Sequence, residues 1–427
     1  MGFIEEQQLE SAYVMGTYAR KPVELVRGRG MQVEDAEGRT YLDFVSGVGA
    51  VSLGHCHPAL ASAIEEQAST LVHVSNYYYI EHRGEVAHLV SDLLNECVDE
   101  AEREPWQSFF ANSGAEANEC AFKLARLHAK KRAMAAAEAA GADEDGVRAA
   151  AAAAPRLIVT LDASFHGRTL ATLAATAQPA KQEAFQPLPD GFVRTPINDI
   201  KALESLFASL HALHHDGICA VMVECVQGES GVHPCEPEFL AAVRRLTAER
   251  GALFMCDEIQ CGMYRCGTYP FGFQHFGIAP DVVTIAKGIA SGFPMGMCAA
   301  RAQVAASFDP GDHGSTFGGS CLAVAAAEAT VRALAAEDAA GNAERTGAYL
   351  REKLAALPQV EEVRGLGLMV ACDLAEGVSA PDVVLAGLDE GLLLNFTGPR
   401  TLRFLPPLVC SKEDVDVLVQ KLAALLS

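Results

Sequence analysis

Four short apolar runs, each stopping on a polar or ionisable residue, constrain this chain most. Leu157 to Leu161 stops at Asp162, and Ile218 to Val223 at Glu224. Leu253 to Cys256 stops at Asp257, and Val282 to Ala286 at Lys287. Continuous apolar runs of this length, bounded by turn residues, read as strands buried on both faces, the pattern of a parallel sheet. An amphipathic helix is expected between two of them, from Phe239 to Arg250. Strand–helix repetition of this kind implies right-handed crossovers. Ligands of such sheets sit at the carboxyl ends of the strands. One polar strand end is routine, but four on one edge predict a site.

The last two runs carry the sharpest chemistry. Asp257 and Lys287 put a carboxylate and an amine at strand ends in apolar surroundings. A lysine reached from a cleft points to chemistry on a carbonyl through a Schiff base. A salt bridge capping two strands is the plain alternative for these two residues taken alone. Upstream, Ser108 to Asn112 predicts a strand that turns through Ser113-Gly114-Ala115 into a long helix from Glu116 to about Lys131. Such a helix start offers free backbone N–H groups, a ready phosphate site. Ser113 equally suits an ordinary N-cap.

The remainder divides by pattern. Residues 1–63 form an N-terminal segment, with a hairpin predicted where Asp35 to Gly38 interrupts the alternation of Met31 to Phe44. Helical periodicity marks Pro58 to Leu71 and Glu81 to Val98. Residues 64–308 are expected to form the large domain. Within it, the alanine-rich stretch of about 133–154 reads as a helical surface extension or partly mobile insertion without chemistry. Residues 309–427 are expected to form a small α+β domain. There Val360 to Leu374, Gly391 to Asn395 and Thr401 to Leu405 look like strands, closed by a helix over Lys412 to Leu426.

Composition excludes several functions. The net charge of −22 argues against a nucleic-acid surface. No uninterrupted apolar run of about eighteen residues predicts a membrane span, and Met1 to Glu10 lacks the order of a secretory signal. Thirteen cysteines scattered through apolar segments fit reduced, buried thiols in a cytoplasm. Neither His55-Cys56-His57 nor Cys256, Cys261 and Cys266 has paired-ligand spacing, so no metal is expected.

A phosphate cradle at Ser113 to Ala115, an aromatic face at Phe165, a carboxylate at Asp257 and an amine at Lys287 together suit one cofactor. Pyridoxal 5'-phosphate has a phosphate, a flat ring with a basic nitrogen, and an aldehyde. Six ordered stretches carry a family resemblance: Phe109-Phe-Ala-Asn-Ser-Gly-Ala-Glu-Ala-Asn118, Phe165-His-Gly-Arg-Thr169, Val223-Glu-Cys-Val-Gln-Gly-Glu229, Asp257-Glu-Ile-Gln260, Ile285-Ala-Lys-Gly288 and His313-Gly-Ser-Thr-Phe-Gly-Gly319. Together they resemble the class III pyridoxal-phosphate aminotransferases, from Thr17 to Leu426 apart from the insertion. Thr17 to Val23, His73 to Tyr78 and Gly391 to Pro407 are most similar to the branch acting on N-acetylornithine.

The resemblance implies an α/β fold of type I, a large domain with a mainly parallel sheet plus a small α+β domain. It also implies a homodimer with active sites at the subunit interface. Lys287 would hold the cofactor and move the proton, and Asp257 would pair with the ring nitrogen. Gln260 would bond the ring hydroxyl, and Phe165 would cover the ring. Ser113, Gly114 and Ala115 would hold the phosphate, with Thr316 supplied by the partner subunit. Substrate binding falls to Tyr18, Arg168, Glu229, Ser315 and Arg403. In the family, the arginine matching Arg168 grips the carboxylate far from the reacting amine, and the one matching Arg403 grips the near carboxylate of glutamate. Glu229 would mask Arg403 when no near carboxylate is present.

The implied reaction moves the δ-amino group of N2-acetyl-L-ornithine to 2-oxoglutarate. Succinylornithine, ornithine and 4-aminobutyrate are alternative donors, and an aminomutase is a rival reaction. Two departures stand out: Cys225 replaces the usual proline, and Cys261 stands where threonine is common.

Overall fold

The computed structural model describes residues 2–212 and 217–427. Its centre is a seven-stranded sheet. In spatial order the strands are Trp106–Ala111, Gly296–Arg301, Val282–Ile285, Leu253–Asp257, Ile218–Val223, Leu157–Leu161 and Phe192–Thr195. Six run parallel. Gly296–Arg301 alone is antiparallel to both its neighbours. The four expected strands are all present and adjacent. Every residue of Leu157–Leu161, Ile218–Val223, Leu253–Asp257 and Val282–Ile285 is buried, as unbroken apolar runs demand.

Register places the chemistry. Cys256 pairs with Val223, so Asp257 lies level with Glu224. Asp257 itself pairs with Thr284, three residues before Lys287. The antiparallel strand has a separate use. A Cβ on Gly296 would sit 2.8 Å from the Ser113 carbonyl carbon, so only glycine lets this strand end press against the turn that begins the long helix.

That helix runs Gly114–Ala139, well into the alanine-rich stretch. Glu144–Ala152, N-capped by Asp143, continues it as a second helix. The insertion is thus helical. Its alanines favour helix.

A four-stranded antiparallel sheet, in the order Val360–Leu366, Met369–Leu374, Thr401–Phe404 and Asn395–Phe396, follows later in the chain. One expectation is corrected here. Gly391 to Asn395 is not a single strand of this sheet. Leu392–Leu393 instead pairs in parallel with Thr40–Asp43 of the N-terminal hairpin, and only Asn395–Phe396 joins the small sheet. Leu392, Leu393 and Leu394 are buried in succession, so the apolar pattern alone does not show where one short strand ends and the next begins. Among the described residues, no helix is long and apolar enough to cross a membrane.

Candidate active site

A cavity of about 380 Å³ opens at the carboxyl edge of the large sheet. Ser113, Gly114, Ala115, Phe165, Asp257 and Lys287 all line it. So do Glu224, Glu229, Arg168 and Gln260. Asp162, the fourth strand end, does not. Its carbonyl accepts from Gln227 Nε2 instead. Three of the four polar strand ends therefore build the site.

The phosphate end is a helix start. Ser113 is extended and its Oγ accepts from the Glu116 N–H at 3.2 Å. Glu116 in turn accepts from the Asn112 backbone and side-chain nitrogens at 2.9 and 2.8 Å. This reciprocal cap leaves the N–H groups of Gly114 and Ala115 for an anion. The Ser113 N-cap is thus present, and it does not close the helix start to an anion.

Asp257, 3% exposed, is the most firmly held group. Its Oδ2 accepts from His166 Nδ1 at 2.7 Å and Asn118 Nδ2 at 2.8 Å, and its Oδ1 accepts from the Ile259 N–H at 3.1 Å. Asn118 also donates to the His166 carbonyl, closing a triangle. Burial opposes a charge on His166, but the hydrogen bond and charge of Asp257 outweigh it and raise its pKa. The Asp257–His166 hydrogen bond thus favours a proton on His166 inside the protein. Glu224 lies beside it and accepts from the Phe165 N–H at 2.9 Å, which fixes the aromatic ring. Burial lifts Glu224 to about 7, with His166 opposing and Asp257 reinforcing.

Lys287 begins a short helical turn with φ of +47°, a left-handed conformation uncommon outside glycine. Such strain collects at functional positions. The amine lines the cavity, and burial lowers its pKa, with the Glu229 charge opposing. Among the described residues no ion pair joins Lys287 to Asp257. The two line one cavity without touching, so the plain salt bridge is not what they form.

Glu229, also in the lining, is ion-paired from behind. Arg403, 3% exposed, reaches Glu229 Oε1 at 2.5 Å. It also donates to the Gly228 carbonyl at 3.0 Å and to Asn395 Oδ1 at 3.0 Å. Gln260 donates to Glu229 at 3.3 Å. Burial opposes ionisation of Glu229, yet Arg403 and Lys287 pull its pKa down to about 2. Arg168 is exposed at the mouth, its guanidinium 5.5 Å from the Phe165 ring centre.

Other expected residues lie elsewhere. Ser315 and Thr316 line a separate cleft with Asn112, Glu116 and Glu119. Ser315 Oγ accepts from Asn112 Nδ2 at 3.2 Å. Tyr18 is 78% exposed and outside the cavity. Conversely, His166 and Asn118 were not singled out in the sequence. Asn118 stands four residues after Gly114, on the same helix face, which was a usable signal. The cysteines at the two departures are packing residues. Cys225 and Cys256 lie 4.0 Å apart, and Cys261 donates to the Val226 carbonyl.

An open helix start, a braced carboxylate and a buried amine around one cavity fit pyridoxal phosphate. The model of the family "Aminotransferase class-III" matches residues 15–426, and the chain belongs to that family of pyridoxal-phosphate-dependent enzymes. It is 42% identical over 422 residues to an acetylornithine aminotransferase from Caldanaerobacter subterraneus subsp. tengcongensis, covering 98% of each chain. Among solved structures, an ornithine aminotransferase from Toxoplasma gondii ME49 superposes with a TM-score of 0.85 at 29% identity, covering 100% of this chain and 95% of that one. An N-acetylornithine aminotransferase from Stenotrophomonas maltophilia K279a gives 0.76 at 32%, covering 98% of both. The fold is accordingly that of the pyridoxal-phosphate aminotransferases, type I.

Proposed function

We propose that the protein transfers the δ-amino group of N2-acetyl-L-ornithine to 2-oxoglutarate, giving N-acetyl-L-glutamate 5-semialdehyde and L-glutamate in arginine biosynthesis. The observation that carries this reading is the Glu229–Arg403 pair at the cavity that Asp257 and His166 also line. One pocket must take an amine with no carboxylate near the reacting carbon, then a keto acid that has one. An arginine that a glutamate can cover or release suits both. The acetylornithine aminotransferase relatives support the choice of donor.

When bound, pyridoxal phosphate supplies the carbonyl that takes the amino group and a ring that withdraws electrons from the reacting carbon. Lys287 holds the cofactor and carries the proton to and from that carbon, a task that a lowered amine pKa favours. Asp257 would pair with the ring nitrogen, and His166 with Asn118 holds the Asp257 carboxylate in place by two hydrogen bonds. Gly114 and Ala115 donate N–H groups to the phosphate beside Ser113. Phe165 covers the ring, and Gln260 bonds its hydroxyl. Arg168 grips the far carboxylate of either substrate.

Ser315 and Thr316 would act in the site of a second subunit of a homodimer, and Tyr18 would meet substrate at that interface. Exposed Tyr77, Tyr78, Tyr79 and Phe317 support an extensive covered face. The division into residues 1–63, 64–308 and 309–427 is part of the same reading. So is a cytoplasmic location, supported by eleven buried free thiols.

Half-reaction spectroscopy tests the proposal. N-acetylornithine should convert the cofactor's aldehyde absorbance to that of its amine form, and 2-oxoglutarate should restore it. Far faster conversion by ornithine, succinylornithine or 4-aminobutyrate would replace the donor. Turnover without 2-oxoglutarate would point to an aminomutase.

A further inference from the structure

Phe165 has a second cation beside it. Lys181 Nζ lies 5.0 Å from the ring centre, against 5.5 Å for the Arg168 guanidinium. The position of Lys181 is built. It donates to Gln178 Oε1. The Gln178 amide donates to the carbonyls of Ala163 and Ser164 at 3.3 and 3.2 Å, in the turn that leads directly into Phe165. The next residue, buried Gln182, donates to the carbonyls of Leu173 and Thr176 at 2.8 and 2.6 Å and accepts from Arg194 at 2.7 Å. Lys181 is thus tied to the segment that carries Phe165 and Arg168.

Neither Lys181 nor Arg168 forms an ion pair with a carboxylate among the described residues. Burial lowers the Lys181 pKa, and the nearby charges of Arg168 and Arg403 lower it further, while Glu229 and Glu224 oppose. The Phe165 ring lines the cavity, so the amine lies just behind that lining, beside Arg168 at the mouth. Two cations this close to one ring centre repel each other and favour an anion bound beside them.

We propose that Lys181 is a specificity-determining residue that joins Arg168 in a two-cation clamp on the carboxylate at the far end of the substrate. Arg168 supplies a planar fork and Lys181 a point charge, which together bind one carboxylate without competing for the same geometry. The inference rests on the proposed reaction, in which donor and keto acid both present a far carboxylate. It gives the mouth one selection rule for both half-reactions.

The test uses the holoenzyme with Lys181→Gln and Lys181→Arg. For Lys181→Gln, the KM values of N-acetylornithine and 2-oxoglutarate should both rise by about five- to tenfold, the effect of one partly screened charge contact. Its kcat should stay within about twofold. Lys181→Arg should restore both KM values. n-Butylamine, which has no carboxylate, should react with Lys181→Gln and the parent enzyme at similar rates. Unchanged KM values, or an equal loss with n-butylamine, would overturn the clamp and leave Lys181 a packing residue. If N-acetylornithine proves a poor donor for the parent enzyme, the proposed reaction fails. The clamp is then still decided by 2-oxoglutarate and glutamate.

Discussion

Two of the carboxylates that line the cavity, Asp257 and Glu229, are held in opposite ways. Asp257 takes three donors, from Asn118, His166 and the Ile259 backbone, all from segments of the large sheet and its helices. Glu229 leans on Arg403, which belongs to the small sheet. Removing Glu229 still leaves Arg403 bonded to the Gly228 carbonyl and Asn395. The Glu229 side chain is 23% exposed against 3% for its partner. Of the two partners, the glutamate is the more exposed. Asp257 is thus braced from several directions within one layer, whereas Glu229 is paired across two layers, an arrangement that the proposed gating would make releasable.

The largest expected effect tests what both ends serve. Lys287→Ala should cut turnover by at least about 10⁴-fold, as loss of a covalent group does, while the melting temperature of the apoprotein stays within a few degrees. Residual catalytic turnover would remove Lys287 from the chemistry.

A smaller effect separates the braced end. His166→Phe leaves buried Asp257 short of one of its three donors. Denaturant unfolding should show a loss of about 3 kcal/mol, typical of a broken buried pair. Cofactor should also dissociate faster, read from its absorbance on dilution. Unchanged stability would mean that Asn118 and the backbone suffice, and the contrast between the two ends would disappear.

The smallest effect concerns the releasable end. Glu229→Gln should slow the N-acetylornithine half-reaction about tenfold relative to that of glutamate, by leaving Arg403 uncovered. The ratio of the two half-reactions should also be flat between pH 6 and 9. Glu229 has a folded pKa of about 2, below its unfolded value, so the pair's stabilisation is complete above the ordinary glutamate range and fades only as pH falls toward 2. A break near pH 7 would instead assign the gate to Glu224, which burial lifts to about that value.

The sequence made the parallel strands legible because each is a continuous apolar run. It hid Gly296–Arg301, whose Gly-Met-Cys-Ala-Ala-Arg is short of β-branched residues and follows no crossover helix. Asp257 and Lys287 were readable because each ends its own strand. His166 and Asn118 act only by meeting Asp257 across 91 and 139 residues of chain, which no local pattern records. Ser315, Thr316 and Tyr18 were readable only through family resemblance, since nothing in one chain brings them to the cavity.

The contact of Gly296 with the Ser113 backbone has a practical consequence. A methyl group there adds no charge and removes no hydrogen-bonding group, yet it must push the start of the Gly114–Ala139 helix away from the sheet. If that helix start holds the cofactor phosphate as proposed, Gly296→Ala should loosen the hold by steric means alone, with Asp257 and Lys287 unaltered. An engineer seeking an enzyme that exchanges cofactor analogues quickly would begin at a residue that takes no part in the reaction.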